Sequence, residues 1–337
     1  MRGISRKILA FLAWAYLSLV ALAVVLVWTA GDRWWAATLL TFGPRYLLLI
    51  PLLPLAVAAG VASRRAFVPL AAAAILGVFG LLGLCVPWRQ LAIGNSDGST
   101  PTVCVVTYNC GAGGDDDELG RFADFLRETN ADIVILNEWT SNTAQARPVP
   151  AKLGDGWHTA DNGSVILSRF PISSVKKLGA ERLRKKWRAP GLRCDVETPS
   201  GEMTVVAVHL DTPREGLSDV EWRRFWRAAP AIDEANEDRR LESEAASELA
   251  AEGKGPTVIA GDFNMPVDSA IYRRYWSRWQ NAFSTAGLGL GYTKFTKRWG
   301  IRIDHVLASE DWRVVEARVG PDLGGDHRPV IARFRRR

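Results

Sequence analysis

The hydrophobic pattern divides the chain into an apolar first part and an alternating second part. Residues 8–30 are uncharged and mostly apolar, a run long enough to cross a hydrocarbon core about 30 Å thick. Two more apolar segments follow at 46–62 and 66–87, the first of them containing Pro51 and Pro54. The pattern predicts three transmembrane helices at about these bounds. A signal peptide is the alternative for the first run, but its apolar region would be only about 7–15 residues long.

Charge sets the expected orientation of this membrane anchor, residues 1–89. Five basic residues flank the predicted spans on one side and three on the other: Arg2, Arg6, Lys7, Arg64 and Arg65 against Arg33, Arg45 and Arg89. Because cytoplasmic flanks are richer in Lys and Arg, we expect the chain beyond the third span to lie outside the cytoplasm. Residues 31–45 between the first two spans are expected to lie along the membrane interface, with Trp34 and Trp35 at headgroup level.

The second part, residues 101–337, alternates strand-like and helix-like stretches after a polar linker at 90–100. Helices are predicted at 115–129 and about 236–251. Strands are predicted at 102–109, 131–138, 164–168, 203–210, 256–262, 303–309, 312–319 and 328–334. This alternation is typical of an α/β domain.

Charge and cysteine content narrow the function classes. Residues 1–100 carry eight basic and two acidic residues, whereas the remainder carries 34 of each. The basic character therefore belongs to the anchor, and a broad nucleic-acid-binding face on the second part is disfavoured. Four scattered cysteines without a CxxC pair argue against a thiolate metal site, although one disulfide remains open.

Polar side chains recur where the predicted strands of the second part end. Taken alone, the GDFN sequence at 261–264 also fits an ordinary turn. The recurrence is harder to explain as turns, because strand ends that meet at one rim are how α/β folds build active sites. The residues concerned are Asn109, Glu138, His209, Asp262, Asn264, Asp304, Asp326 and His327. His305 follows Asp304 directly, so it should point to the opposite face and be structural.

Seven motifs in order carry a resemblance to a known family. They are TYN (107–109), LNE (136–138), ILSRFPI (166–172), VHLDTP (208–213), GDFN (261–264), RIDHVLAS (302–309) and GDHRPV (325–330). Together they resemble the endonuclease/exonuclease/phosphatase superfamily, whose fold is that of deoxyribonuclease I. The resemblance covers residues 102–335. It implies a four-layer α/β sandwich with two central mixed β-sheets, and hydrolysis of phosphate esters with Mg²⁺ or Mn²⁺.

The resemblance also implies roles for the site residues. Glu138 corresponds to the principal metal-binding carboxylate, with Asn109 beside it and Asp326 as a second carboxylate near the metal. Asp262 and Asn264 correspond to the pair that positions the attacking water and the phosphate. His327 corresponds to a general base or phosphate-stabilising group oriented by Asp304, and His209 to a histidine that protonates the leaving group or binds phosphate.

These observations lead to one main expectation and several alternatives. The main expectation is a multi-pass membrane phosphoesterase whose catalytic domain faces outward, with the lipid bilayer as partner. The three-span layout resembles bacterial membrane proteins associated with glycopeptide-antibiotic resistance, which favours a lipid-linked or cell-envelope phosphate as substrate. The alternatives are an extracytoplasmic nuclease, a sphingomyelinase-like phospholipase and an inactive membrane-tethered binding protein. Intact motifs argue against the last.

A long stretch between His209 and Asp262 departs from the better-known nucleases. Residues 214–252 include Trp222, Phe225 and Trp226 at helical spacing among arginines. Packing in the core is the simpler interpretation. The alternative is a basic and aromatic element that touches the membrane surface or a lipid substrate.

Overall fold

Apolar helices form the N-terminal part of the chain, as seen in a computed structural model. It describes all residues except 1, 63, 89–101, 112–115, 140–152, 154–155, 180–182, 185–188, 222–224 and 297–298. The N-terminal helices are α1 (Arg2–Ala30), α2 (Trp35–Phe42), α3 (Leu52–Ala62) and α4 (Phe67–Ile75), and α4 continues as a π-helix to Leu81. The predicted linker at 90–100 lies outside the described residues.

Two of these helical segments are long and apolar enough to cross a membrane, Arg6–Ala30 and Arg64–Leu81. A third candidate consists of Trp35–Phe42 and Arg45–Val61, which meet at a bend of 83°. The sequence predicted a span at about 46–62, interrupted by Pro51 and Pro54. The structure has a 3₁₀ turn at Arg45–Leu49 before α3, and Pro51 between them lacks the amide hydrogen that a continuous helix needs.

Fourteen strands and five further helices make up the described remainder. The strands are β1 (Val103–Asn109), β2 (Ile133–Asn137), β3 (His158–Asp161), β4 (Ser164–Ser168), β5 (Ile172–Lys177), β6 (Gly191–Thr198), β7 (Gly201–His209), β8 (Thr257–Asp262), β9 (Gln280–Asn281), β10 (Lys294–Phe295), β11 (Gly300–Ile301), β12 (Asp304–Ala308), β13 (Trp312–Val319) and β14 (Val330–Arg336). The helices are α5 (Asp116–Thr129), α6 (Arg214–Glu221), α7 (Phe225–Ala251), α8 (Ala270–Tyr275) and α9 (Ala282–Ala286).

The strands form two six-stranded mixed sheets of similar design. The first has the order β13-β14-β1-β2-β4-β3 and the second β5-β6-β7-β8-β12-β9. Each sheet has one parallel pair at its centre, β1/β2 in the first and β7/β8 in the second. Antiparallel neighbours flank each pair.

The two sheets pack face to face, and helices cover their outer faces. Ile135 of the first sheet and Val205 of the second belong to the apolar core between them. Helix α5 covers the first sheet with Phe122 and Leu126, and helices α7 and α8 cover the second. The expected four-layer α/β sandwich, similar to deoxyribonuclease I, is confirmed.

Several elements differ from the sequence prediction. Strands β5 and β6 were not predicted, although β6 alternates apolar Leu192, Cys194 and Val196 with charged residues. Helix α7 begins at Phe225, well before the predicted start near 236. All four cysteines are free thiols.

Candidate active site

The strand-end side chains meet at one rim, where the two central parallel pairs end. Asn109 is the last residue of β1, and Glu138 follows the last residue of β2. His209 ends β7 and Asp262 ends β8, and these two residues are paired in register. Because parallel strands run in the same direction, their carboxyl ends lie at the same edge of each sheet. The face-to-face packing of the sheets brings the two edges together.

On the first sheet, Asn109 connects Glu138 to the second sheet. Its Nδ2 donates to Glu138 Oε1 at 3.0 Å and to Asp262 Oδ2 at 2.9 Å. Glu138 has a φ of 57°, an uncommon backbone conformation for a residue other than glycine and one that clusters at functional sites. His209 Nε2 lies 3.5 Å from Glu138 Oε1.

The environment keeps Glu138 ionised. A hydrogen bond from His209 lowers the pKa of Glu138, and the Asn109 amide and the charges of His209 and His327 add to this effect. Burial opposes them, but the pKa still falls to about 2. The side chain is 44% exposed, so the carboxylate is charged and accessible at neutral pH. That combination suits a ligand for a hydrated cation.

Asp262 and Asp304 of the second sheet form a compact buried cluster with His327, which precedes β14 of the first sheet. His327 Nδ1 lies 2.8 Å from Asp304 Oδ2, and its Nε2 lies 3.8 Å from Asp262 Oδ2. The three are between 1% and 4% exposed. Asp304 pairs in register with Asp262 across β12 and β8, so the two carboxylates stand side by side.

Protons are distributed unusually in this cluster. Burial by itself would lower the pKa of His327, but the charge and hydrogen bond of Asp304 and the charge of Asp262 raise it to about 9. Burial and the Asp304 charge raise the pKa of Asp262, against the charges of His327 and His209 and the Asn109 hydrogen bond. At neutral pH, His327 is therefore an imidazolium held between two acids.

The end of β8 has a backbone that only a few side chains allow. A Cβ atom on Gly261, which has a φ of 146°, would lie 1.8 Å from the carbonyl oxygen of Val208 on β7. After the strand, Asn264 has a φ of 48°, and its backbone N–H donates to Asp262 Oδ1 at 2.8 Å. Its Nδ2 donates to the Leu210 carbonyl at 2.8 Å. The GDFN sequence is thus a turn that fixes two site side chains.

Asp326 lies at the edge of the site. Its carboxylate is 49% exposed and forms an ion pair with Lys294. Asp326 Oδ1 is 3.9 Å from His327 Nε2. The structure therefore gathers all eight residues named from the sequence at one rim, while their individual roles stay predictions.

Sequence reasoning missed three residues that support the site. Asn137 Oδ1 accepts the backbone N–H of Asp262 at 2.9 Å, and its Nδ2 donates to Val208, so it joins the two sheets. Thr293 Oγ1 accepts the backbone N–H of Asp304 at 3.1 Å. Asn137 lies in the LNE motif next to Glu138, so its position in the motif could have identified it. The sequence around Thr293 contains no motif that indicates a role for that residue.

The third missed residue, Arg239 on α7, is fully buried behind the site. Burial lowers its pKa, while the charges of Asp32, Asp211, Glu242 and Asp262 oppose that shift. Its Nη1 donates to the Asp211 carbonyl at 3.4 Å, two residues after His209. It was missed because helix positions in a polar stretch do not reveal which side chain points inward.

His305 lies on the opposite side of its strand from the site, as predicted. Its ring contacts Phe263 and Tyr272, and its Nε2 is 2.9 Å from the Met265 carbonyl. Burial, followed by the charge of Arg302, lowers the pKa of His305 to about 3. It is therefore a neutral core histidine.

Two positions in the site have donors suited to a divalent cation. Asp262, Asp304 and His327 offer ligand atoms that lie within 4.8 Å of one another. The raised pKa of His327, however, favours its imidazolium form, and a protonated ring nitrogen cannot bind metal. Glu138 offers an ionised, accessible carboxylate instead, with the neutral, buried Asn109 amide beside it. The donor chemistry therefore fits Mg²⁺ or Mn²⁺ better at Glu138.

Comparison with known proteins assigns the class of this chain. The sequence profile of the Endonuclease/Exonuclease/phosphatase family matches residues 106–327, about two thirds of the chain. The chain belongs to this family, whose members hydrolyse phosphoester bonds and generally use divalent metals. A comparison with curated proteins finds no match.

Solved structures support the fold. An endonuclease/exonuclease/phosphatase from Beutenbergia cavernae is 19% identical, with 70% of this chain and 72% of that chain covered and a TM-score of 0.51. ANGEL2, a 2′,3′-cyclic phosphatase, is 16% identical over 70% and 96% of the two chains, with a TM-score of 0.52. The human Nocturnin catalytic domain is 16% identical over 71% and 96%, with a TM-score of 0.51.

Proposed function

We propose that this protein is a membrane-anchored, Mg²⁺- or Mn²⁺-dependent phosphoesterase that hydrolyses a lipid-linked or cell-envelope phosphate ester. The observation that carries the proposal is the position of the catalytic rim. The loop that follows β8 and its GDFN turn also contacts the segments between the apolar N-terminal helices. A substrate held in the bilayer would thus be presented to the side of the domain where the catalytic groups lie.

The contacts between rim and anchor are specific and buried. Asp32, between α1 and α2, accepts hydrogen bonds from Ser269 Oγ and, at 3.3 Å, from the backbone N–H of Ile271. Its Oδ1 is 3.5 Å from Arg239 Nη2, and both side chains are fully buried. Arg45 pairs with Asp268. Ser269 and Asp268 belong to the loop after the GDFN turn, so the anchor holds the loop that leaves the site.

Further contacts extend this interface. Thr38 on α2 accepts from Asn236 of α7 at 3.0 Å, and the Phe42 carbonyl accepts from Trp299 at 3.0 Å. Cys85 pairs with Gly289 through two backbone hydrogen bonds. Residues 31–45 are expected to lie along the membrane interface. The Thr38 side of α2 is buried against the catalytic part, and Trp34 remains half exposed.

The chain's own groups suit in-line attack by water. Asp262, close to both His327 and Asn109, accepts a proton from the attacking water, and Asn264 helps to hold that water and the phosphate. His327, whose pKa is raised by the neighbouring acids, acts as an imidazolium that stabilises phosphate charge. His209, beside Glu138, donates a proton to the leaving oxygen.

Glu138 and Asn109 would hold the cation, with Asp326 nearby. A bound divalent cation would neutralise phosphate charge and stabilise the leaving oxygen. The carboxylate is already ionised through its hydrogen bonds with His209 and Asn109, so cation binding does not have to displace a proton. No serine or cysteine nucleophile is required.

Substrate competition tests the proposal. The full chain, reconstituted in vesicles with Mg²⁺, would be offered a polyprenyl phosphate ester, a phospholipid and duplex DNA. We expect turnover of the polyprenyl phosphate ester to exceed that of the other two, with Asp262→Asn as the inactive control. Preferential cleavage of DNA would favour a nuclease and contradict the proposal, as would preferential cleavage of the phospholipid.

We also propose that the catalytic domain lies outside the cytoplasm. The support is the charge bias of the anchor together with two apolar spans and a bent third candidate. Alkaline phosphatase, which is active only outside the cytoplasm, would be fused after residue 337. We expect an active fusion. An inactive fusion, together with a fluorescent C-terminal green fluorescent protein fusion, would contradict the orientation.

A further inference from the structure

Helix α7 changes from polar to apolar along the side that is buried in the protein. Near its carboxyl end, Ala246 and Ala250 pack in an apolar cluster with strands of the second sheet. Earlier in the helix, the buried residues include Asn236, Arg239 and Glu242, each at most 4% exposed. Burying polar groups is costly unless they form hydrogen bonds, so the partners of these side chains indicate what the polar part of the helix does.

One of these partners is the backbone of Asp211, two residues beyond the end of β7. The N–H of Asp211 donates to Glu242 Oε2 at 2.6 Å, and its carbonyl accepts from Arg239 Nη1 at 3.4 Å. Glu242 and Arg239 are three positions apart, so they lie on the same side of the helix. Two buried side chains of α7 therefore hold Asp211 at both its N–H and its carbonyl.

Leu210, which precedes Asp211, connects this backbone to the GDFN turn. Its N–H donates to the Asp262 carbonyl at 3.0 Å, and its carbonyl accepts from Asn264 Nδ2 at 2.8 Å. Leu210 also follows His209 directly in the chain. A displacement of Asp211 would therefore pass through Leu210 to three residues of the catalytic rim.

The anchor holds the same part of α7. Arg239 Nη2 donates to Asn236 Oδ1 at 2.6 Å and lies 3.5 Å from Asp32 Oδ1. Asn236 Nδ2 in turn donates to Thr38 Oγ1 at 3.0 Å. Because Asp32 and Thr38 belong to the anchor, the anchor fixes the guanidinium that holds the Asp211 carbonyl.

We propose that Glu242 and Arg239 are positioning residues of the catalytic rim. By fixing the backbone of Asp211, they fix that of Leu210, whose carbonyl orients the amide of Asn264. The inference rests on the proposed function, because that function assigns the attacking water and the phosphate to Asn264. Reacting groups must be held close to their productive geometry, and a misplacement of about 1 Å costs on the order of 10²-fold in rate.

Two substitutions at Glu242 separate positioning from stability. Glu242→Asp keeps a carboxylate but withdraws it by one methylene from the Asp211 N–H, whereas Glu242→Gln keeps both the length and an oxygen that accepts. We expect Glu242→Asp to lower kcat for bis(4-nitrophenyl) phosphate by about tenfold or more in the full chain with Mg²⁺, and to leave KM nearly unchanged. Glu242→Gln should retain most of the wild-type kcat. Glu248→Asp is the matched control, because it makes the same change at an exposed position of the same helix.

Hydrogen exchange provides a readout that does not depend on activity. Mass spectrometry would follow the backbone amides of residues 208–213 in the full chain. In Glu242→Asp these amides should exchange about tenfold faster than in wild type, because the Asp211 N–H loses its acceptor. In Glu242→Gln and Glu248→Asp they should exchange as in wild type.

A wild-type kcat in Glu242→Asp would overturn the positioning role. Equal losses of kcat in Glu242→Asp and Glu242→Gln would also overturn it, because they would attribute the effect to charge instead of the hydrogen bond. Faster exchange throughout the chain of Glu242→Asp would indicate a role in stability alone, and lost activity without faster exchange at 208–213 would exclude a route through Asp211. A wild type that hydrolyses bis(4-nitrophenyl) phosphate but no lipid-linked phosphate ester would overturn the proposed function alone.

Discussion

The two central strand pairs share a topology but differ in the chemistry at their ends. The β1/β2 pair ends in Glu138, which lies one residue beyond its strand in a left-handed turn and is ionised and 44% exposed. The β7/β8 pair ends in Asp262, which lies within its strand, is buried, and has a raised pKa. Topology therefore determines where the carboxylates meet, and burial determines what each can do. We propose cation binding for the first pair and proton transfer for the second.

The largest expected effect comes from the second pair. Asp262→Asn removes the proposed proton acceptor, so we expect turnover of bis(4-nitrophenyl) phosphate to fall by about 10²–10³-fold, comparable to the loss of one strong transition-state contact. Mn²⁺ affinity, followed by electron paramagnetic resonance, should change less than twofold. Near-wild-type turnover, or lost Mn²⁺ binding, would contradict the division of roles.

The first pair should respond differently. Glu138→Gln removes the proposed cation ligand, so we expect turnover to fall on the order of 10²-fold at saturating Mg²⁺. The Mn²⁺ concentration that gives half-maximal activity should also rise, unlike in Asp262→Asn. An unchanged metal requirement would place the cation elsewhere.

Close packing at the end of the second pair predicts an effect on stability. Gly261→Ala would force β7 and β8 apart, because its Cβ would overlap the Val208 carbonyl. We expect a loss of roughly 4 kcal/mol in the free energy of unfolding. Gly120→Ala on α5 is the control, since no atom lies within 4 Å of its Cβ and alanine favours a helix. If thermal unfolding shows the two variants to be equally stable, β7 and β8 do not pack as closely at Gly261 as the structure indicates.

The comparison also explains how far the sequence could predict the structure. Continuous runs of apolar, often β-branched residues marked the central strands, and polar residues at their ends marked the site, because both signals are local. The long-range pairing of Asp304 with His327 needed the family resemblance. Burial depth, which separates Glu138 from Asp262, depends on packing between distant layers and had no local signal.

The interface between anchor and domain was the main feature beyond prediction. Asp32 lies in a short polar stretch that also fits a solvent-exposed turn, and Arg239 lies on a mostly polar helix. Their pairing spans more than 200 residues, so no sequence periodicity could reveal it. The side chains of Trp222, Phe225 and Trp226 lie outside the described part of the structure, so core packing and membrane contact both stay predictions for them.

The anchor contact adds a moderate effect. Asp32→Asn leaves Arg239 buried without its ion-pair partner, so we expect a loss of about 3 kcal/mol in stability. Turnover should fall less than in Asp262→Asn, because Asp32 contacts no catalytic atom. Thermal unfolding in detergent checks this, with Asp124→Asn on exposed α5 as the control. If Asp32→Asn melts at the same temperature as Asp124→Asn and wild type, the contact between anchor and domain does not stabilise the protein.

The smallest effect concerns pH and the neutral core histidine. The pKa of His305 is about 3 in the folded protein and near 6.5 in the unfolded chain. Its contribution to stability is therefore complete above pH 6.5 and is lost as the pH falls, by about 2 kcal/mol at pH 5. His305→Gln should reduce this dependence, as measured by melting temperatures from pH 7 to 5. If the melting temperature of His305→Gln depends on pH as steeply as that of wild type, His305 is not neutral in the folded protein.

The most direct test of the division between the two pairs is the protonation of His327 with and without Mg²⁺. With only four histidines in the chain, ¹⁵N NMR of histidine-labelled protein can resolve the ring, and the His327→Gln variant assigns it. We predict that both ring nitrogens stay protonated at pH 7.5, titrate near pH 9, and keep their protons when Mg²⁺ saturates the site. Loss of a ring proton on addition of Mg²⁺ would place the cation at the second pair and contradict the account.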